Sequence, residues 1–192
     1  MSIVETISYE LWDKDPSAFA HQLGKNHKLS GFCGINDHPV SNSLVSESIE
    51  MFSTFFSLND DIKMKYFLKD LGGARGYTPY RIETPKGGQH ADLKEFWQMG
   101  RELPINHPYR KYMFDNQYAD EIKEFRIKII ELFNAFDQFG KELMEAVALY
   151  LDLEQGYFEP HINNGNSVLR TIHYPPVVED DGERSGAHGD IN

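Results

Sequence analysis

The stretch "SVLRTIHYPP", Ser167 to Pro176, carries most of the architectural information in this chain. Its side chains alternate as a strand requires, because residues i and i+2 of a strand project from the same face. Val168, Arg170, Ile172 and Tyr174 share one face, and Leu169, Thr171 and His173 share the other. Pro175 and Pro176 have no backbone N–H to give a ladder, so the strand ends there. The polar run "VVEDDGERSG" comes next as a turn, and "AHGDIN" (Ala187–Asn192) reads as the opening of a returning strand.

Upstream the period is that of helices. From about Asn116, the residues Ile122, Phe125, Ile129, Leu132, Phe133, Phe136, Phe139, Leu143, Val147 and Leu151 recur at steps of three and four. That pattern predicts a long amphipathic helix, bent at Gly140, whose aromatic stripe is core. Asp15-Pro16 predicts the start of the first helix, with Asp as N-cap and Pro in the first turn, running to Gly24. "SGFCGIN" (Ser30–Asn36) predicts a short buried strand. A second helix is expected over Asn42–Phe56, with Leu44, Val45, Ile49, Phe52 and Phe56 along one side. Asn59-Asp60-Asp61 caps a third, ending near Leu68. The Gly- and Pro-dense stretch Asp70–Gly88 predicts loop, and "KEFWQMG" (Lys94–Gly100) a strand with Phe96 and Gln98 opposed to Trp97 and Met99. The β-structure is concentrated at the end of the sequence, and a lone hairpin is marginal in water. We therefore expect the 192 residues to be the front part of a longer chain.

Composition narrows the function. Hydrophobic residues make up 40% and aromatic residues 13%, which is material for a packed globular protein. A net charge of −11, with no concentrated basic patch, argues against nucleic acid and anionic membranes as partners. The single cysteine, Cys33, cannot form an intrachain disulfide and is expected as a small buried thiol. The N-terminus has no basic region followed by an apolar stretch, and no run could span a bilayer; the expected location is the cytoplasm.

Two His-x-Asp pairs stand out, His90/Asp92 and His188/Asp190. With eight histidines in the chain, about half a match arises by chance, so the pattern alone is weak. Context separates the two. On a strand, His188 and Asp190 would project from one face and could reach one ion. His90 sits in a Gly-rich loop, where Asp92 reads as a cap. An imidazole with a carboxylate supplies two parts of the 2-His-1-carboxylate triad that holds non-haem Fe(II) and leaves positions open. Zinc hydrolysis is the competing use of such residues, although no HExxH spacing supports it. The residues alone leave open whether His188 and Asp190 are ligands.

Taken together, "LRTIHYPP" and "GAHGDIN" resemble the strand pair of the isopenicillin N synthase-like, iron- and 2-oxoglutarate-dependent oxygenases. The segment Gly72–Pro104, with its GYTP turn and DLKEFW strand, is similar to their N-terminal region. "SGFCGINDHPV" is similar to their early strand and the turn after it. The resemblance covers essentially the whole chain, in family order. It implies an α+β fold: a helical N-terminal region (1–110), a long bracing helix (111–160), and the start of a distorted double-stranded β-helix, or jelly roll (161–192), incomplete in this chain. It implies His188 and Asp190 as ligands of Fe(II), 2-oxoglutarate and O₂ as cosubstrates, and a small organic substrate to be hydroxylated, desaturated or ring-closed. Tyr174 matches the tyrosine whose hydroxyl binds the cosubstrate carboxylate, or the substrate carboxylate in isopenicillin N synthase itself; the alternative is a half-buried strand tyrosine that simply packs. Ile172 replaces an Asn common in plant members, removing one polar contact. Arg170 shares the Tyr174 face and could meet an anionic substrate or form a surface salt bridge; Arg75 and Tyr77 could line the entrance. The family's second His ligand and its cosubstrate Arg find no match here. The alternative reading is a catalytically inactive fragment, or a helical interaction module with an incomplete metal site.

Overall fold

The computed structural model describes residues 4–84, 91–176 and 184. In chain order its elements are β1 (Thr6–Ser8), α1 (Glu10–Lys14), α2 (Pro16–Ser30), β2 (Gly34–Asn36), α3 (Asn42–Phe56), α4 (Asp60–Lys63), β3 (Gly76–Thr78), β4 (Glu95–Gly100), α5 (Phe125–Tyr150), α6 (Glu159–Ile162) and β5 (Val168–His173). This is the mixed helix and strand content of an α+β fold. The expected returning strand at Ala187–Asn192 lies outside the described residues. Two compact units form: Met1–Ser46 with Ile130–Gly165, and Glu47–Ile129 with Asn166–Asn192. The sequence-based division at 110/111 and 160/161 follows element type, a different criterion.

The first unit is built on α2 and the later part of α5. Asp15 caps α2 by accepting from the Ala18 N–H at 3.0 Å, and Pro16 occupies the first turn as expected. The helix does not stop at Gly24. It runs to Ser30, where Gly31 takes the left-handed conformation, φ +78°, that ends many helices. Gly24 has another role: any Cβ there would lie inside the Tyr150 ring of α5. A glycine that reads as a stop is a point of close approach. Ile7, Tyr9, Phe19, Ala20, Leu23 and Ala146 form the core, with Trp12, Phe139 and Leu143 against it. Tyr9 and Phe19 meet edge to face, with ring centroids 5.7 Å apart. In the parallel pair β1–β2, Ile7 lies opposite Ile35. Strand β2 is half-buried rather than buried, and Cys33 just before it is a free, half-buried thiol that accepts from Asn26 Nδ2 at 3.4 Å.

The second unit is built around the antiparallel sheet β3-β4-β5. Strand β4 is central, pairing Tyr77↔Trp97 on one side and Trp97↔Thr171 on the other. All six of its residues are buried, so alternation of direction is kept while alternation of burial is lost. Phe55 and Trp97, both at 0% exposure, pack edge to face at 4.8 Å between centroids; Phe125 meets Trp97 at 5.0 Å. Strand β3 falls within the stretch expected to be loop. Three residues carry no readable period, and Gly76, at φ +74°, gives this short strand the local look of a turn.

The helices differ from expectation in detail. Helix α3 has the expected bounds, but its buried stripe is Leu44, Ser48, Met51, Phe52, Phe55 and Phe56, and Ile49 is 60% exposed. A polar residue, Ser48, holds the place given to Ile49. Helix α5 begins at Phe125 rather than near Asn116, because Glu124 has φ +58° and breaks the helical path. It runs through Gly140 as one element, with Phe136 and Leu151 exposed. The helical run after Asn59 ends at Tyr66 in a 3₁₀ turn, and Asn59 makes no side-chain capping bond.

Candidate active site

Strand β5 presents two faces with different chemistry. On one face, Arg170 donates from Nε to Gln98 Oε1 at 2.7 Å and from Nη1 to both oxygens of Glu83 at 3.2 and 3.3 Å. Its guanidinium also lies 4.4 Å from the centroid of Phe96. Of the two roles open to Arg170, the described residues supply the salt bridge. Glu83 goes on to Lys94, 2.7 Å away, and Lys94 to Asp92, also 2.7 Å. Burial opposes the charge of Lys94, yet hydrogen bonds to Asp92 and Glu83 raise its pKa above the ordinary lysine value. Asp92, expected as a cap, is thus a buried counter-ion; a polar residue after a Gly-rich loop looks the same in sequence either way.

Tyr174 comes directly after β5. Its ring is half-buried, Arg184 lies 5.6 Å from the ring centroid, and the Arg184 Nη2 donates to the Tyr174 carbonyl at 2.6 Å. The Tyr174 hydroxyl finds no partner among the described residues. Ile172, 39% exposed, is paired with Phe96.

The opposite face centres on Glu95, 3% exposed. Its Oε2 accepts from Lys63 Nζ at 2.9 Å and from the Tyr77 hydroxyl at 2.5 Å; its Oε1 faces His173 Nδ1 at 2.8 Å. Burial first, and then the Glu95 bond, push the Tyr77 pKa far above the ordinary phenol value. His173 stacks on Phe56 with centroids 5.2 Å apart. It also borders a cavity of about 660 Å³ with Lys63, Tyr77, Tyr80 and Glu95.

Arg75 and Tyr77, considered for an entrance, are each 3% exposed. Arg75 donates to the Ala74 carbonyl and to Asn166 Oδ1 (3.2 Å) and fills the space that the missing Cβ of Gly100 leaves. His188, Asp190 and His90 lie outside the described residues. Among the described residues no three His, Cys, Asp or Glu side chains gather as a metal site. Sequence reasoning passed over Glu95, Lys63 and Gln98. The usable sign was Glu95 itself, a charge opening the apolar run "EFWQMG".

Residues 4–121 match the family described as "non-haem dioxygenase in morphine synthesis N-terminal". The chain belongs to the non-haem, iron- and 2-oxoglutarate-dependent oxygenase family. Over 100% of its length it superposes on the crystal structure of a 2OG-Fe(II) oxygenase family protein from Caulobacter crescentus, with TM-score 0.90 and 41% identity, covering 62% of that protein. It is 28% identical over 181 residues to a 2-oxoglutarate-Fe(II) type oxidoreductase of Emericella nidulans, covering 88% of this chain and 52% of the relative. A 2-oxoglutarate-Fe(II) type oxidoreductase of Aspergillus fumigatus is 30% identical over 173 residues, 85% of this chain and 51% of that one. The chain thus spans about half the length of these curated relatives.

Proposed function

We propose that the whole protein is an Fe(II)- and 2-oxoglutarate-dependent oxygenase that hydroxylates, desaturates or ring-closes a small organic substrate. The observation that carries this reading is the 41% identity, over the entire chain, to a 2OG-Fe(II) oxygenase family protein of the same fold. His188 and Asp190 would hold the iron, an imidazole and a carboxylate being two thirds of the facial triad. Iron held there would supply the redox chemistry that couples O₂ and the oxidative decarboxylation of 2-oxoglutarate to succinate and CO₂ with oxidation of the substrate.

The chain's own residues supply the binding work. The Tyr174 hydroxyl, a donor free of partners among the described residues, fits one carboxylate oxygen of 2-oxoglutarate. Such a charge-assisted bond contributes about 1.5–3 kcal/mol. Arg170, committed to Gln98 and Glu83, holds the loop carrying Glu83 against the sheet. Phe96 beneath it is 2% exposed and packs against the guanidinium, 4.4 Å from its ring centroid.

In the whole protein, His188→Ala and Asp190→Ala should each abolish Fe(II)-dependent conversion of 2-oxoglutarate to succinate while leaving the circular dichroism spectrum unchanged. His90→Ala should leave both the conversion and the spectrum unchanged. Metal loss in the His90 variant, with metal kept in the His188 variant, would reverse the assignment.

A further inference from the structure

We propose that Glu95, held by Lys63 and Tyr77, is an anchor that grips His173 and thereby sets the direction of Tyr174. The proposal rests on the reading of Tyr174 as the cosubstrate-binding phenol, and His173 is in it a positioning residue.

The β4–β5 ladder ends at the pair Glu95↔His173. Tyr174 is the first residue beyond it, and the next two are prolines, with no N–H to tie the chain back to the sheet. A residue before proline is restricted to extended backbone, which narrows Tyr174 but does not aim it. Arg184 holds the ring and the carbonyl from outside the sheet; what ties Tyr174 to the sheet is the residue before. The last ladder pair is in register on the backbone and is tied through the side-chain bond from His173 Nδ1 to Glu95 Oε1 at 2.8 Å. A carboxylate only accepts, so His173 carries its proton on Nδ1. The stack on Phe56, at an interplanar angle of 21°, then fixes the plane of the ring. Because consecutive strand residues point to opposite faces, holding the His173 ring on one face turns the Tyr174 ring to the other.

The anchor behind His173 is stiff. Both Glu95 oxygens are occupied, and Lys63 Nζ is tied further to the Phe56 carbonyl (3.3 Å) and to Asp60 (3.2 Å). Donors from α4, β3 and β5 therefore converge on one carboxylate of β4. Buried ion pairs of this kind add little stability over a packed apolar equivalent, and their best-attested use is to fix register. Here register matters doubly, because a slip of one residue would exchange the faces of His173 and Tyr174.

The test uses the whole protein, loaded with Fe(II) and kept anaerobic, with 2-oxoglutarate titrated in by calorimetry. His173→Phe keeps the aromatic stack and removes the donor; His173→Asn returns a donor near the position of Nδ1. Tyr174→Phe should weaken 2-oxoglutarate by about tenfold or more, the expected loss of one charge-assisted bond. His173→Phe should weaken it by about three- to tenfold, with iron affinity unchanged, and His173→Asn should recover most of the loss. The double variant His173→Phe/Tyr174→Phe should be no weaker than Tyr174→Phe alone, since His173 acts through that hydroxyl. Should His173→Phe fail to fold, Tyr77→Phe, which loosens Glu95 without touching β5, takes its place in the same cycle. Losses that add in the double variant, or a His173→Phe affinity equal to that of the unmodified protein, overturn the anchor while leaving the role of Tyr174 standing. Unchanged affinity in Tyr174→Phe overturns the role of Tyr174, and the anchor's purpose with it.

Discussion

The two units of the chain hold themselves together by different means. In the first, Phe19, Ala20, Leu23 and Ala146 are almost fully buried, and the decisive contact is a ring laid on a glycine. In the second, an aromatic cluster around Trp97 shares its space with buried charges: Lys63 at 6% exposure, Glu95 at 3% and Asp92 at 4%. Apolar packing is forgiving of sequence, since volume and pattern suffice for most of it. A buried charge is not forgiving, because each partner is the reason the other is tolerated. The second unit is the one whose strand end carries Tyr174. Buried ion pairs add little stability over a packed apolar equivalent, and in some systems they fix register.

The largest effect should come from splitting the ion pair. The Lys63 and Glu95 side chains are 8% and 5% exposed. Lys63→Met leaves Glu95 charged and without its cation, which should cost about 3–5 kcal/mol. Adding Glu95→Gln should recover much of that loss, because the amide carbonyl still accepts from Tyr77, and the amide N–H can donate to His173 Nδ1 in its other tautomer, with no charge to bury. Urea unfolding monitored by tryptophan fluorescence reports both, with Trp97 within the affected cluster and Trp12 against the core of the other unit. Equal losses in the single and double variants would show that the charge itself is not what makes the site demanding.

This contrast also explains what could be read in advance. The bounds of α3, the cap at Asp15, the strands β4 and β5 and the family were legible, because each rests on a local period or a short motif. Ser48, Gly24 and Glu95 were misread or passed over for a common reason: their roles depend on residues distant in the chain, or on a tertiary surface that periodicity does not encode. Gly24 makes the point sharply. Its local chemistry favours a helix stop, and only the Tyr150 ring, brought in from α5, explains why a glycine stands inside the helix. The His-x-Asp pairs divide likewise. Asp92 is explained by Lys94, two residues on, while the assignment of His188 and Asp190 rests on family resemblance, as they lie outside the described residues.

A smaller effect should come from filling the first unit's close approach. Gly24→Ala improves helix propensity by about 1 kcal/mol. The new methyl would nevertheless overlap the Tyr150 ring, and overpacking of this kind costs about 1–3 kcal/mol. A net destabilisation is expected, read by thermal unfolding. In a Tyr150→Ala background the same substitution should become neutral or stabilising, because the obstacle is gone. Destabilisation of equal size in both backgrounds would mean that Gly24 is needed for its backbone and not for the ring.

The smallest effect should come from Arg170, and it separates burial from mere pairing. Its ion pair with Glu83 is geometrically good, at 3.2 Å, but each side chain is 34% exposed. Water already stabilises both charges, so the Coulombic gain is small and partly offset by the entropy of holding two long side chains. Arg170→Met keeps much of the apolar contact with Phe96 and removes the charge. It should cost no more than about 1 kcal/mol, several-fold less than Lys63→Met, and salt at about 150 mM should already remove part of what the pair contributes. Glu83 loses little, because Lys94 remains 2.7 Å away. A loss as large as that of Lys63→Met would mean that the Arg170 face is as tightly closed as the Glu95 face. An unchanged fold with weakened binding of an anionic substrate would move Arg170 from the loop clasp into the substrate site.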